Sequence, residues 1–434
     1  MSLSSFKKLG RLIDGSWLIK VAFILLLAIF ALNLLSMSSG ALTRPYDPEA
    51  SLSFYRRYKK GMFLFPDKPD AALWAPPNDK AEYAYAGWLY IHGVSPNLIN
   101  FEHPPLAKYL IGLSEIIFRN ENVMGLLFGL LTLLLIFLIS KKALRCEAFA
   151  LIPIYMLSVD KIFIGLSGVS MLDIYANFFI CLAILLFLDE DRSFLRLALL
   201  SLSLGLALAS KWSSGFLIAT MFLYLLAQRK WQSTKWLLAS VPLIILVYVS
   251  TYFAFFLNHS TLTDFLNLQR EMLNFQMQVR QAKGFGVISN LSVLLCGVKM
   301  PINIIEVDPA IGPIVVGHGL LLSQVFNPLL WPLLPASSVL SLILAHSRKN
   351  NALLFLSLWQ IVGLASLSIG QPLAMSEHYM LPVLSIGVIL IAYFLEGIYA
   401  ETSHKKIAVS AGLLYLLAFT VFSLFTFFPI FTEC

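Results

Sequence analysis

Residues 122–140 read Asn-Val-Met-Gly-Leu-Leu-Phe-Gly-Leu-Leu-Thr-Leu-Leu-Leu-Ile-Phe-Leu-Ile-Ser, without one charged side chain, and Lys141-Lys142 follows directly. A helix of about 20 apolar residues covers the roughly 30 Å of bilayer hydrocarbon, where only helices and closed barrels satisfy their own backbone groups. The run is continuous rather than alternating, so it is read as a membrane-spanning helix. Runs of the same kind lie at 17–38, 147–166, 171–188, 194–210, 212–227, 236–257, 323–345, 351–369, 379–397 and 407–429, which makes eleven. The expected fold class is an all-α polytopic membrane protein, a single transmembrane domain over residues 1–434. Composition agrees: 58% of the 434 residues are hydrophobic and 13% are charged, against about 25% charged in a soluble domain. Soluble enzymes, nucleic-acid binders and disordered scaffolds are excluded at this step.

The short connections fix an expected orientation. Lys141, Lys142 and Arg145, then Arg192 and Arg196, Arg229, Lys230 and Lys235, Arg348 and Lys349, and Lys405 and Lys406 fall on one side with Lys7, Lys8 and Arg11. Cations mark the cytoplasmic face, so the N-terminus is expected inside and the C-terminus outside, in the plasma membrane if the source is prokaryotic. The 31 Lys and Arg against 24 Asp and Glu thus orient the chain rather than meet nucleic acid. The first run exceeds the about 7–15 residues of a signal-peptide core, so it is read as an uncleaved anchor. Cys146, Cys181, Cys296 and Cys434 show no metal-type spacing and no disulfide framework.

Two long segments, 39–121 and 258–322, fall on the outer side. Both Asn-X-Ser triplets, at Asn258 and Asn290, lie in the second. Residues 106–118, too short to span and carrying Lys108 and Glu115, are expected to lie as a helix in the outer interface, and residues 264–281 as a second.

The unusual polar groups collect on this outer side. Asn78-Asp79-Lys80-Ala81-Glu82-Tyr83 precedes Phe101-Glu102-His103-Pro104-Pro105-Leu106-Ala107-Lys108. A carboxylate held beside the membrane can take the proton of an attacking hydroxyl, general-base work worth roughly 10² to 10⁴ in rate; the plain alternative is a solvated acid. Asp173 opens the fourth run, after Asp160-Lys161, and ionisable groups inside a membrane are usually paired or functional. Lys211, in Ser210-Lys211-Trp212, is a compact cation suited to a lipid-linked phosphate and out of place on an outer turn. Asn327-Pro328-Leu329-Leu330-Trp331 and Glu377-His378-Tyr379-Met380-Leu381-Pro382 open the eighth and tenth runs, and His378 is a candidate ligand of sugar or phosphate.

In this order and on one side, the pieces resemble the protein O-mannosyltransferase family, the dolichyl-phosphate-mannose-protein mannosyltransferases of the GT-C class. The resemblance rests on His103-Pro104-Pro105-Leu106 with Glu102 and Lys108, on Met171-Leu172-Asp173, on Ser210-Lys211-Trp212, on Asn327 to Trp331 and on Tyr379 to Pro382. It implies a GT-C-like fold whose two outer loops carry interfacial helices. It also implies transfer of a hexose, typically mannose, from a dolichyl- or polyprenyl-phosphate donor to a Ser or Thr hydroxyl, with inversion and without a required metal or other cofactor. Carried over residue by residue, Asp79 is the base with Glu82 as second acid, and Lys211 and His378 meet the donor phosphate. Glu102, His103 and Lys108 form the acceptor-loop signature, and Asp173 and Asn327 are structural polar groups near the site.

Three departures matter. Lys80 stands where the family has Glu after the catalytic Asp, so Asp47 and Glu49 remain an alternative acid pair. An insertion separates the first run from Asp79. Residues 258–322 are too short for the MIR module of eukaryotic members, which fits a prokaryotic, archaeal-type member. Partners implied are the lipid membrane, the donor, and a protein or glycan acceptor; the oligomeric state stays open. The rivals are the same fold acting on a lipid-linked glycan or a lipid, and a transporter or lipid flippase. Transporters tend to repeated halves and midplane acids, and no repeat is visible here.

Overall fold

The computed structural model describes residues 16–53, 79–189, 193–283, 299–308, 312–322, 327–370, 377–424 and 430–432. Each stretch read as a span contains helix, although the one read over 323–345 becomes helical only at Leu333, after a turn at 327–332. Six helices are long and apolar enough to cross a membrane: α1 (Ser16–Thr43), α4 (Val123–Ala143), α10 (Trp231–Ser250), α14 (Asn351–Gly370), α15 (Leu381–Glu401) and α16 (Lys405–Leu424). Four others are apolar but shorter, α7 (Leu172–Phe187), α8 (Phe194–Ser210), α9 (Gly215–Ala227) and α13 (Leu333–Ser347).

The stretch expected to run straight over 147–166 is broken. α5 (Leu151–Val159) and α6 (Lys161–Ser167) follow a 3₁₀ turn at Glu147–Ala150, and the two halves are bent by 67°. Asp160 stands at the break, where its Oδ1 accepts from the backbone N–H groups of Ile162 and Phe163 and so caps α6. The Ser158 carbonyl freed there accepts from Asn33 of α1 at 2.9 Å. A broken helix survives inside the bundle because its loose backbone groups find such partners.

α7 and α15 are apolar on all sides, and both are buried along most of their length. α1 and α16 leave Ile24, Leu25 and Leu32, and Leu413, Leu414 and Leu417, exposed on the outside of the bundle. The two ends differ in chemistry. At one end Lys142 lies 3.4 Å from Asp189, which Arg196 also pairs, and Glu396 Oε1 accepts from the backbone N–H groups of Arg145 and Cys146. At the other end α7 and α15 begin and α8 finishes.

Two further helices before α4 cover that second end: α2 (Asp79–Ile91) and α3 (Leu106–Phe118). They cross at Gly87 and Gly112, where a Cβ on Gly87 would meet the Lys108 carbonyl oxygen at 2.6 Å. The crossing therefore needs glycine on both sides. α3 is a helix as expected, but the polar face is reversed. Lys108 and Glu115, the charged groups of the expected interfacial helix, are buried, while Leu113, Ile116, Ile117 and Phe118 are exposed. α11 (Phe253–Leu257) and α12 (Leu262–Lys283) follow α10, and Phe265, Leu268 and Met272 of α12 pack on Tyr252 and Phe255. Beyond α12 the second outer segment, expected to carry one interfacial helix, also holds antiparallel strands β1 (Lys299–Asp308) and β2 (Gly312–Leu322), with β3 (Ile430–Thr432) added to β2. Cys296, Cys434, Asn290, Lys7, Lys8, Arg11, Arg192 and the ends of the runs at 323–326 and 425–429 lie outside the described residues.

Glu115 gives a measurable consequence. It is 3% exposed, neither carboxyl oxygen has a hydrogen-bond partner among the described residues, and burial, with the Glu121 charge, pushes its pKa up to about 10. The unfolded chain releases this proton near pH 4.5 while the folded chain keeps it. Raising the pH between those values therefore costs stability, by up to about 1.4 kcal/mol per unit. Glu115→Gln, the shape of the protonated acid, is expected to flatten that slope. Melting temperatures of the two proteins should agree near pH 5 and diverge at pH 8.5, with the variant higher.

Candidate active site

α2 is docked by its first turn. The Ser170 hydroxyl, just before α7, donates to the Lys80 carbonyl at 3.0 Å, which sets Asp79 beside the start of α7. Tyr83, one turn after Asp79, is 6% exposed and lies within electrostatic reach of Asp79, Asp173, Tyr379 and Glu102. Burial first, and then those negative charges, push its phenol well above the ordinary value. It is therefore a neutral hydroxyl among acids.

Asp173 occupies the first turn of α7, and Lys211 follows the last residue of α8 in extended backbone. Lys211 Nζ donates to Asp173 Oδ1 at 2.6 Å and lies 4.2 Å above the Tyr379 ring. With side chains 10% and 4% exposed, this is a buried ion pair. α7 and α8 have 16 and 17 residues, a rise of about 24–26 Å against roughly 30 Å of hydrocarbon. Both helices are thus shorter than the hydrocarbon is thick. The pair stands at the mouth of a pocket of about 520 Å³ whose walls include Ala176, Ile180, Phe216, Trp359 and Val383. Cation and carboxylate are at one end, and hydrocarbon continues from them into the bundle.

His103 joins the cluster, its ring 5.9 Å from that of Tyr83. Burial, then the charges of Lys211 and Lys108 and the nearby His378, hold it well below the ordinary imidazole value, so it is neutral at neutral pH. The His378 ring lies 4.3 Å from that of Tyr379, tilted by 42°, within electrostatic reach of Asp173 and Lys211. Asp79, Glu102, His103, Asp173, Lys211 and His378 thus lie in one cluster.

Three candidates are used differently. Lys108 is fully buried and donates to Asn100 Oδ1 at 2.9 Å and to the His103 carbonyl at 2.8 Å, so it pins the loop that carries His103. Burial lowers its pKa to about 7, against the opposing pull of Glu102 and Glu82. Glu82, 5% exposed, acts electrostatically on this ammonium, and Glu102 Oε1 accepts from Asn100 at 3.0 Å. Asn327 turns to α16, donating to Ser423 Oγ at 2.8 Å and to the Phe419 carbonyl at 3.2 Å, and those bonds do not reach the Lys211 cluster. Asp47 caps a short turn, with Oδ1 accepting from the Glu49 and Ala50 N–H groups, and is exposed.

Sequence reading passed over Tyr83 and gave Tyr379 no role. The signal for Tyr83 was its spacing, four residues after Asp79 on a helix and so on the same face. The second outer segment also reaches the site: Gln276 of α12 donates to the Glu102 carbonyl at 3.1 Å, and Phe275 meets Phe101 edge to face. Among the described residues no group of three or more His, Cys, Asp or Glu side chains is arranged to hold a metal.

This bundle, with its site at one end between short helices, is a GT-C glycosyltransferase fold. Residues 102–255 match the family model for dolichyl-phosphate-mannose-protein mannosyltransferase, a segment that contains His103, Asp173 and Lys211 and begins after Asp79. The chain therefore has the GT-C fold and carries a segment similar to that family's model. Among solved structures, ArnT from Cupriavidus metallidurans bound to undecaprenyl phosphate is similar with a TM-score of 0.53 and 17% identity, over 78% of this chain and 60% of that one. Its apo state gives 0.52 and 16%, over 78% and 59%. The Archaeoglobus fulgidus oligosaccharyltransferase tethered with an acceptor peptide containing the NVT sequon gives 0.50 and 11%, over 96% and 56%. At such identities the fold is what is shared, and this chain spans about 60% of the ArnT chain's length. No curated protein is significantly similar in sequence.

Proposed function

We propose that this chain transfers a sugar from a polyprenyl-phosphate donor to a hydroxyl acceptor at the membrane face that bears Asp79, the extracytoplasmic face by the distribution of cations. Mannose and a protein Ser or Thr are the sugar and acceptor that the matched family segment favours. The observation that carries the reading is the Lys211–Asp173 pair at the mouth of an apolar pocket, beside the helix that starts at Asp79. A polyprenyl-phosphate sugar has the matching chemistry, an anionic head and a hydrocarbon tail. ArnT, of the same fold, is described with undecaprenyl phosphate bound.

The acceptor oxygen attacks the anomeric carbon from the side opposite the phosphate, its proton passes to Asp79, and the bond from the anomeric carbon to the phosphate oxygen breaks. Configuration inverts in one displacement. Charge accumulates on the departing phosphate, and an ammonium already held in place by Asp173 and the Tyr379 face stabilises it without reorganisation. Tyr83 and the neutral His103 offer hydrogen bonds to sugar or acceptor, while Lys108 keeps the His103 loop in position.

The test is transfer of radiolabel from dolichyl-phosphate-mannose by the purified protein in detergent, with Ser/Thr peptides, lipid-linked glycans and lipids as separate acceptors. Label in peptide supports the full reading. Label only in glycan or lipid keeps the donor chemistry and replaces the acceptor. If no polyprenyl-phosphate sugar is consumed with any acceptor, the reading fails.

A further inference from the structure

The opposite end of the bundle contains a second cavity, of about 640 Å³, between α7, α8 and α10, walled by Phe187, Leu200, Leu225 and Leu237 and bordered by Asp189 and Arg196. A smaller one of about 370 Å³ adjoins it, sharing Phe187, Asp189 and Leu225 in its wall and adding Lys230 and Asn351, and the two are taken together as one cleft. Three cations gather around its polar part: Lys142, 3.4 Å from Asp189, Arg196 on the same carboxylate, and Lys230, whose ammonium lies 5.5 Å over the Tyr224 ring. Among the described residues that line the cleft or pair across it, Asp189 is the one acid set against them.

The apolar part points the other way along the same helices. Leu200 and Leu237, 8% and 3% exposed, lie a turn or more further into α8 and α10 than Arg196 and Lys230. Trp236 lines the cleft and is 46% exposed, and Trp231 and Phe194 are exposed at the same end. Tryptophan collects where hydrocarbon meets headgroups, so this cleft crosses that boundary, with cations on the headgroup side and leucines on the hydrocarbon side.

We propose that the cleft holds one glycerophospholipid from the leaflet at this end, with its phosphodiester against Lys142, Arg196 and Lys230 and an acyl chain between Leu200 and Leu237. The bound lipid fills the space between α8 and α10 and so braces α8, the helix whose far end presents Lys211. The site stands independently of the transfer reading, because none of its residues touches the Lys211 cluster.

The experiment uses the full chain, purified in detergent and stripped of lipid, then given phosphatidylglycerol or, separately, the matching diacylglycerol, which lacks the phosphate. Native mass spectrometry counts retained lipid and thermal unfolding reads its effect. Phosphatidylglycerol is expected to be retained one per chain and to raise the melting temperature, as any ligand of the folded state does; diacylglycerol is expected to do neither. Lys142→Glu with Lys230→Glu should weaken retention on the order of tenfold or more, since a cation near a lipid phosphate is worth about 1 kcal/mol. Leu200→Trp, which fills the apolar part, should abolish retention. Equal retention of diacylglycerol, or unchanged retention in the charge-reversed variant, overturns the proposal.

Discussion

Asp79→Asn is expected to reduce transfer from a polyprenyl-phosphate sugar by two to four orders of magnitude, the span by which a positioned general base accelerates a proton transfer, about 10² to 10⁴. The substitution keeps the shape of the side chain and removes its charge and its ability to take a proton. The α2 N-terminus, held through the Ser170 bond to the Lys80 carbonyl, should stay docked, so melting temperature and donor affinity should change little. Asp47→Asn is the control. Asp47 is exposed and its Oδ1 accepts two backbone N–H groups, a cap that Asn performs about as well. Its rate should remain within a few-fold of the parent. Transfer rates with saturating donor decide the matter: an active Asp79→Asn beside a dead Asp47→Asn would move the base to the other acid pair. Glu82→Gln should act by another route. Its charge supports the Lys108 ammonium, so the expected loss falls on the loop around His103, as a raised acceptor KM rather than a lost proton transfer.

How much of this was legible in the sequence depends on the range of the interactions concerned. The spans were legible because a continuous apolar run is a local property, and each of the runs contains helix among its described residues. The break at Asp160 showed only as Asp-Lys inside an apolar run; that it bends the chain by 67° depends on Asn33 being available to the Ser158 carbonyl. The reversed face of α3 was not legible. A Lys and a Glu on a short amphipathic helix are normally solvated, and only the arrival of the Asn100 and His103 oxygens makes burial of Lys108 tolerable. The hairpin of β1 and β2 did leave a signal, β-branched residues such as Ile302, Ile304, Ile314 and Val315 on both sides of Asp308-Pro309 and Gly312-Pro313. It was missed because a loop between spans was read only for helices. At the site, charged residues marked themselves by being out of place in a membrane. Tyr83 and Tyr379 did not, since aromatic residues are common there.

Lys211→Met should impair the protein twice, and the two losses can be separated. The first is structural. Removing one partner of a buried pair leaves the other charge uncompensated, typically a cost of about 3–5 kcal/mol. The second is functional, loss of the cation that faces the departing phosphate; removing one such preorganised donor costs about 10² to 10³ in kcat. Asp173→Asn combined with Lys211→Met removes the stranded charge and should restore most of the melting temperature. If Lys211 served only to neutralise Asp173, transfer would return with it. If Lys211 meets the phosphate, the double variant is stable and still inactive, with weakened binding of polyprenyl phosphate itself. Lys211→Arg sharpens the distinction. A guanidinium keeps the charge and the bond to Asp173 but is planar and longer than the ammonium now seated 4.2 Å over the Tyr379 ring. Stability should then be nearly that of the parent and transfer reduced, because the position of the charge, and not merely its presence, lowers the barrier.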